Sequence, residues 1–252
     1  MINKIGNIRF GSINFEMKKK TRYKLSNENL LSLIPKVKKM HGITDYFGIC
    51  GGGTQNLFLL SLITKKNKLK SITIIDSAQE QLTNFINTVN LYNRYSKKDY
   101  TVMLLKKARK NYPKEKSGHF ETNLKRPSIN TELEINLKEV ELISYLKSPV
   151  ILPGRYILYL SNALTFGDMD GKLWFKLIKR FLINMLNLKW KIIDTYSDYI
   201  IDILTELVLD NKRIFDGSFI IAYAGFGRFF LSEHKILIFE KTNGKILHRF
   251  KS

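Results

Sequence analysis

Three features of the sequence predict an α/β fold with a mostly parallel central sheet and a C-terminal antiparallel hairpin. ITDYFGIC (43–50), a glycine turn, the apolar run NLFLLSLI (56–63) and SITIID (71–76) follow one another as strand, turn, helix and strand, the order of a parallel β-α-β unit. YILYLSN at 156–162 is apolar almost throughout, as a strand covered on both faces must be. Asn243-Gly244 lies between two alternating segments, a strong hairpin signal.

Taken in order, residues 1–42 read as an N-terminal arm and a covering helix. NIRFGSINFEM (7–17) partly alternates around Gly11-Ser12 and reads as a small hairpin or extended arm. Ser26 is a candidate N-cap, Leu30, Leu31, Ile34 and Val37 mark a helical face, and Gly42 is a C-terminal stop. The domain proper runs over 43–252. After Asp76, Leu82, Phe85, Ile86 and Val89 recur at helical spacing over 78–92, with Asn84, Asn87 and Asn90 on the wet face. Residues 94–136 form a basic insertion. Its Arg94–Arg126 stretch carries eleven Lys and Arg against three acidic residues, interleaved with tyrosines, His119 and Phe120. NLKEVELISYL (136–146) reads as a helix with Val140, Ile143 and Leu146 on one side. Helices at 173–186 and 199–210 and strands at 190–197 and 218–225 follow, and a loop with Phe229 and Phe230 precedes the hairpin.

The organising stretch is 43–76. Gly51, Gly52 and Gly53 leave no Cβ in the turn after the first strand, so a ligand can approach the backbone and the first N–H groups of the next helix. Asp76 ends the second strand, at the edge where open α/β sheets present ligand-binding groups, and its carboxylate suits a ribose diol. The alternative is a tight turn beside an ordinary surface aspartate. A dinucleotide fingerprint from Gly51 meets Asn56 where its third small residue belongs, and the Gly-Lys-Ser/Thr of a phosphate-binding loop is absent. S-adenosylmethionine is the remaining common occupant.

FGICGGGTQNLFLL followed by ITIIDSAQEQLTNFI, with YILYLSN further on, resembles the class I S-adenosylmethionine-dependent transferases. More narrowly, it resembles the 3-amino-3-carboxypropyl transferases that act on diacylglycerol in betaine-lipid synthesis. The resemblance covers roughly 46–92 and 155–166, and departs in its three adjacent glycines and shorter chain. It implies a Rossmann-like class I methyltransferase fold. Gly48, Gly51 and Gly52 would then cradle the cofactor, Asp76 would bind its ribose, and Asp45 and Thr54 would reach its amino-acid end. Ser161 and Asn162, polar groups ending an apolar strand, are the acceptor-side candidates, with Asp168 as a base. The reaction would move a methyl or a 3-amino-3-carboxypropyl group.

The net charge of +20, from 42 basic and 22 acidic residues, favours an anionic partner. RNA stands slightly ahead of an anionic membrane or a phosphorylated small molecule, and a diffuse lysine bias is the plainer source of the same charge. A basic RNA- or membrane-binding protein that kept a transferase fold without catalysis is the competing reading. One cysteine excludes an intrachain disulfide and a cysteine-only zinc site. The four histidines are scattered, no HExxH or G-x-S-x-G occurs, and no metal is expected. Cys50 reads as a packed thiol rather than a nucleophile. Without a signal-peptide pattern or an 18-residue apolar run, the expected location is cytoplasmic, with peripheral membrane contact as the variant.

Overall fold

The computed structural model describes residues 3–9, 30, 33–50, 54–94, 134–149, 151–161, 182, 186, 201–224 and 235–248. The chain falls into two compact units, Met1–Glu141 and Leu142–Ser252. It is an α/β protein with parallel strands in both units and a C-terminal antiparallel hairpin.

In the first unit β2 (Asp45–Ile49) and β3 (Ser71–Asp76) run parallel, with Gly48 opposite Ile74 and Ile49 opposite Ile75. The crossover between them carries α2 (Thr54–Ile63). Residues 55–61 of this helix are all buried, so its apolar residues do not form a single stripe. Asn67 closes its far end. The Asn67 amide donates to Ile63 O and Met40 O, both at 3.1 Å, and its Oδ1 accepts from Ile43 N at 3.0 Å. One buried side chain thus satisfies a helix-terminal carbonyl and fixes the chain just before β2.

β4 (Glu134–Glu139) pairs parallel with β3, placing Glu139 opposite Asp76. It corrects the helical reading of 136–146. Ile135 and Leu137 are buried while Asn136 and Lys138 are half-buried, a period of two, and the helix is only α4 (Leu142–Leu146). The other side of β4 pairs antiparallel with β1 (Asn3–Arg9), from Asn3 opposite Glu139 to Arg9 opposite Glu134. The described part of the N-terminal arm is therefore a long-range partner of β4, and residues 10–17 of the expected hairpin or extended arm lie outside the described residues. The leading helix shrinks to α1 (Ile34–Val37), with Pro35 in its first turn, where the missing N–H costs nothing. Gly42 has φ 71°, as a left-handed stop requires.

α3 (Gln79–Arg94) packs Leu82, Phe85, Ile86 and Val89 inward. Its expected wet face is another correction: Asn84 and Asn90 are buried, as are Gln81 and Thr88. Polar side chains there turn back on the helix, Thr88 Oγ1 donating to Asn84 O and Asn87 Nδ2 to Thr83 O.

In the second unit β5 (Tyr156–Ser161) and β6 (Phe219–Ala224) are parallel. β7 (Lys235–Thr242) returns antiparallel to β6 and to β8 (Lys245–His248). Asn243 at φ 48° and Gly244 at φ 66° give two successive left-handed residues, the backbone of a type I′ hairpin turn. Residues 201–204 are α-helical and run into a π-helical turn, Thr205–Leu209. The basic insertion, apart from its two ends, and the expected strand at 190–197 lie outside the described residues. So does the loop holding Phe229 and Phe230, and of the 173–186 helix only Leu182 and Leu186 are described, both helical.

Lys241, on β7, is buried and closes the π-helical end: its Nζ donates to Val208 O at 3.1 Å and to Asn211 O at 3.3 Å. A cation at a helix C-terminus meets carbonyls that have no intrahelical donor. Burial lowers its pKa from 10.5, against the attraction of Asp216. Lys241→Met should lower the unfolding free energy by about 1–3 kcal/mol, because the buried Val208 carbonyl loses its lysine donor and Asn211 O keeps only Ile214 N. The unfolded chain holds the Lys241 proton more tightly, so the native protein gains stability as the pH rises through the window just below 10.5. Urea unfolding should show the wild type's margin over Lys241→Met widening across that window; a constant margin would contradict a desolvated charge.

Candidate functional site

The carboxyl ends of β2 and β3 bring together Cys50, Asp76 and the start of α3. The ladder continues one residue past β2, with Cys50 N donating to Ile75 O at 2.8 Å. Asp76 Oδ1 accepts from Ala78 N at 2.9 Å, a local turn that leads directly into α3 at Gln79. Asp76 is half-buried. Its main-chain oxygen accepts from Val140 N at 3.0 Å, which ties the end of β3 to the residue after β4.

Cys50 is buried, and its thiol donates to Gln81 O at 3.0 Å. Its pKa is raised well above 9.0, first by burial and then by the negative charge of Asp76, with a backbone hydrogen bond from Phe85 opposing. The group is therefore a protonated thiol near neutral pH, inert as a nucleophile and usable as a donor.

Sequence reasoning missed Asn56. This residue of α2 is fully buried, and its amide donates to Ile49 O at 2.8 Å and to Cys50 O at 3.2 Å. Its Oδ1 accepts from the Tyr46 hydroxyl at 2.8 Å. The side chain lies over Gly48, where an added Cβ would stand 2.0 Å from Asn56 Oδ1 and 3.0 Å from a Tyr46 ring carbon. Gly48 is thus a glycine because Asn56 fills the space above it. The signal was in the sequence: Asn56 takes the third small position of the fingerprint, and Tyr46 shares a strand face with Gly48.

Asp45 is placed elsewhere. It begins β2, so about four strand residues, roughly 13 Å, separate it from Ile49. It is buried and accepts from Ser71 Oγ at 2.6 Å and from the Thr44 hydroxyl, joining the starts of β2 and β3. That position takes it out of the group at the carboxyl ends. Thr54 is the first residue of α2, and its side chain is outside the described residues, as are Gly51, Gly52, Asn162 and Asp168.

Ser161 ends β5 in the second unit. It is buried and has φ 52°, a left-handed backbone that a serine adopts at a cost, next to a register step between Tyr159 and Ser161 in the pairing with β6. That unit also holds a groove of about 470 Å³ lined by residues including Leu146, Lys147, Glu206, Asn211 and Arg213, and among the described residues none of the expected site residues lines it. Among the described residues no cluster of metal-binding side chains occurs, and no helix is long and apolar enough to cross a membrane.

Comparison with models of known protein families, with curated proteins and with solved structures finds no match to this chain.

The packing of Asn56 on Gly48 has a direct test. Gly48→Ala should cost about 1–3 kcal/mol of stability through overpacking. Combined with Asn56→Ala, which vacates the space, the same substitution should cost clearly less than the sum of the two single changes. Strict additivity in chemical denaturation would contradict the contact.

Proposed function

We propose that the chain binds S-adenosylmethionine at the carboxyl ends of β2 and β3 and transfers its methyl or 3-amino-3-carboxypropyl group to an acceptor. The observation that carries the reading is Asp76. A half-buried carboxylate ends β3, parallel and adjacent to a strand that runs into the Gly51-Gly52-Gly53 sequence and a crossover helix. A carboxylate so placed accepts hydrogen bonds from a ribose diol, and the sequence around it lacks both pyrophosphate-binding fingerprints. The order β4-β3-β2 within the first unit and the acidic end of its middle strand fit a Rossmann-like methyltransferase fold.

S-adenosylmethionine supplies an activated sulfonium carbon, so the protein's work is to hold the nucleoside and place an acceptor in line. Asp76 supplies the ribose contact. Cys50, kept as a thiol, adds no competing nucleophile beside it. The acceptor candidates Ser161, Asn162 and Asp168 are readings of the sequence alone. The charge of +20 favours an anionic acceptor or surface, and it also favours the second reading, a basic RNA- or membrane-binding protein without catalysis.

Titration calorimetry with S-adenosylmethionine separates the two. The folded wild type should bind. Asp76→Asn keeps an Oδ1 acceptor for Ala78 N and loses the charge, so it should stay folded and bind about tenfold to a hundredfold more weakly, the worth of a charge-assisted hydrogen bond. Equal affinity in the two proteins would remove Asp76 from the site. No binding at millimolar ligand would leave the non-catalytic reading. Where turnover is seen, 5′-methylthioadenosine marks aminocarboxypropyl transfer and S-adenosylhomocysteine marks methyl transfer.

A further inference from the structure

The Asn56 amide has one orientation that its neighbours accept. The Ile49 and Cys50 carbonyl oxygens, at 2.8 and 3.2 Å, can only accept, so Nδ2 must face them. Oδ1 then receives the Tyr46 hydroxyl at 2.8 Å. The Asn56 and Tyr46 side chains are fully buried, and the bonds to Cys50 O and from the Tyr46 hydroxyl are buried with them, while the bond to Ile49 O is partly buried. The two carbonyls belong to the last residue of β2 and the residue after it. Tyr46 stands on β2 and Asn56 in the first turn of α2, so the three bonds tie the strand end to the start of the helix. In a dinucleotide fingerprint the third small residue lets helix and strand approach closely. Here the small residue is on the strand, as Gly48, and the helix contributes a polar side chain that grips the strand's carbonyls.

We infer that Asn56 is a positioning residue for the nucleoside site, acting through the Ile49 and Cys50 carbonyls, with Tyr46 holding its amide in the working orientation. The inference rests on the nucleoside reading of the preceding section. An amide at this position does more than fill space: it must donate twice and accept once, and among residues of this size asparagine alone does so at neutral pH.

The test uses the full chain, S-adenosylmethionine as the probe, and temperatures well below melting. In Asn56→Asp a carboxylate faces two carbonyl oxygens with no proton to give, and burial raises its pKa. S-adenosylmethionine affinity at about pH 8 should fall at least about tenfold, the scale of a lost buried hydrogen bond with its acceptor left unpaired. As the pH is lowered toward about 5.5 the carboxyl gains an O–H that can donate to one carbonyl, and affinity should recover. The wild type, whose Asn56 amide does not titrate, should show no such recovery over the same range. A role in packing alone gives no such rescue in a protein that is folded at both pH values. Tyr46→Phe, which keeps the ring and removes the donor to Oδ1, should weaken binding about three- to tenfold. It carries the test if Asn56→Asp does not fold. Wild-type binding with Asn56→Asp indifferent to the change, or equally weak at both pH values, would overturn this inference alone, as would Tyr46→Phe binding like the wild type. No binding by the folded wild type would overturn the nucleoside reading and this inference with it.

Discussion

A buried amide lying on a glycine is the constraint on which the first unit depends. β2 is enclosed by β3 on one edge and α2 on a face, so polar atoms at its ends need protein partners. Two asparagines provide them. Asn67 joins the end of α2 to the segment before β2, and Asn56 joins the start of α2 to the strand's far end. Asp45 and Ser71 fasten the strand starts to each other. The helix between the asparagines is apolar nearly throughout and has no wet face to orient it, so these polar contacts set how it lies on the strand. Gly48 is the counterpart that makes room, and exchanging either member of the pair leaves a clash or two carbonyls without a donor.

The second unit solves a similar problem with a cation. Lys241 reaches from β7 to the carbonyls at the end of a helix whose last turn is π-helical, and burial lowers its pKa. Ser218 is fully buried in the same region: its hydroxyl donates to Phe215 O and accepts from Tyr156 N, linking the segment before β6 to the start of β5. In each unit the ends of the sheet are closed by a few polar side chains whose hydrogen bonds are specific in direction.

Local signals were legible in the sequence where they agreed with tertiary structure. β3 falls on SITIID, β5 on YILYLS, and the Asn243-Gly244 turn has the two left-handed residues that its dipeptide demands. β4 was not legible because Val140, Ile143 and Leu146 offered a helical spacing that overlapped the shorter alternation of Ile135 and Leu137. Pairing with β1 and β3 decided the matter, and β1 lies more than a hundred residues away. The buried asparagines of α3 misled for a related reason: amides read as solvent-facing unless the covering structure is known. Within the candidate site Asp76 was legible from its place at a strand end, while Asn56 was noted only as a departure from a glycine pattern. Asp45 begins β2, at the end of the strand away from the glycines, where its carboxylate accepts from Ser71.

The chemistry proposed here needs a nucleoside site at one edge of the first unit, with an acidic strand end, a polar-gripped strand end and a thiol that stays protonated. Backbone amide hydrogen exchange, measured with and without S-adenosylmethionine, locates such a site without an assay for the acceptor. The account predicts slowed exchange confined to two stretches, from Cys50 into the first turn of α2 and from Ser77 into the start of α3, with α4 and the β7–β8 hairpin unchanged. Binding accompanied by protection elsewhere, with both of those stretches unaffected, would contradict it.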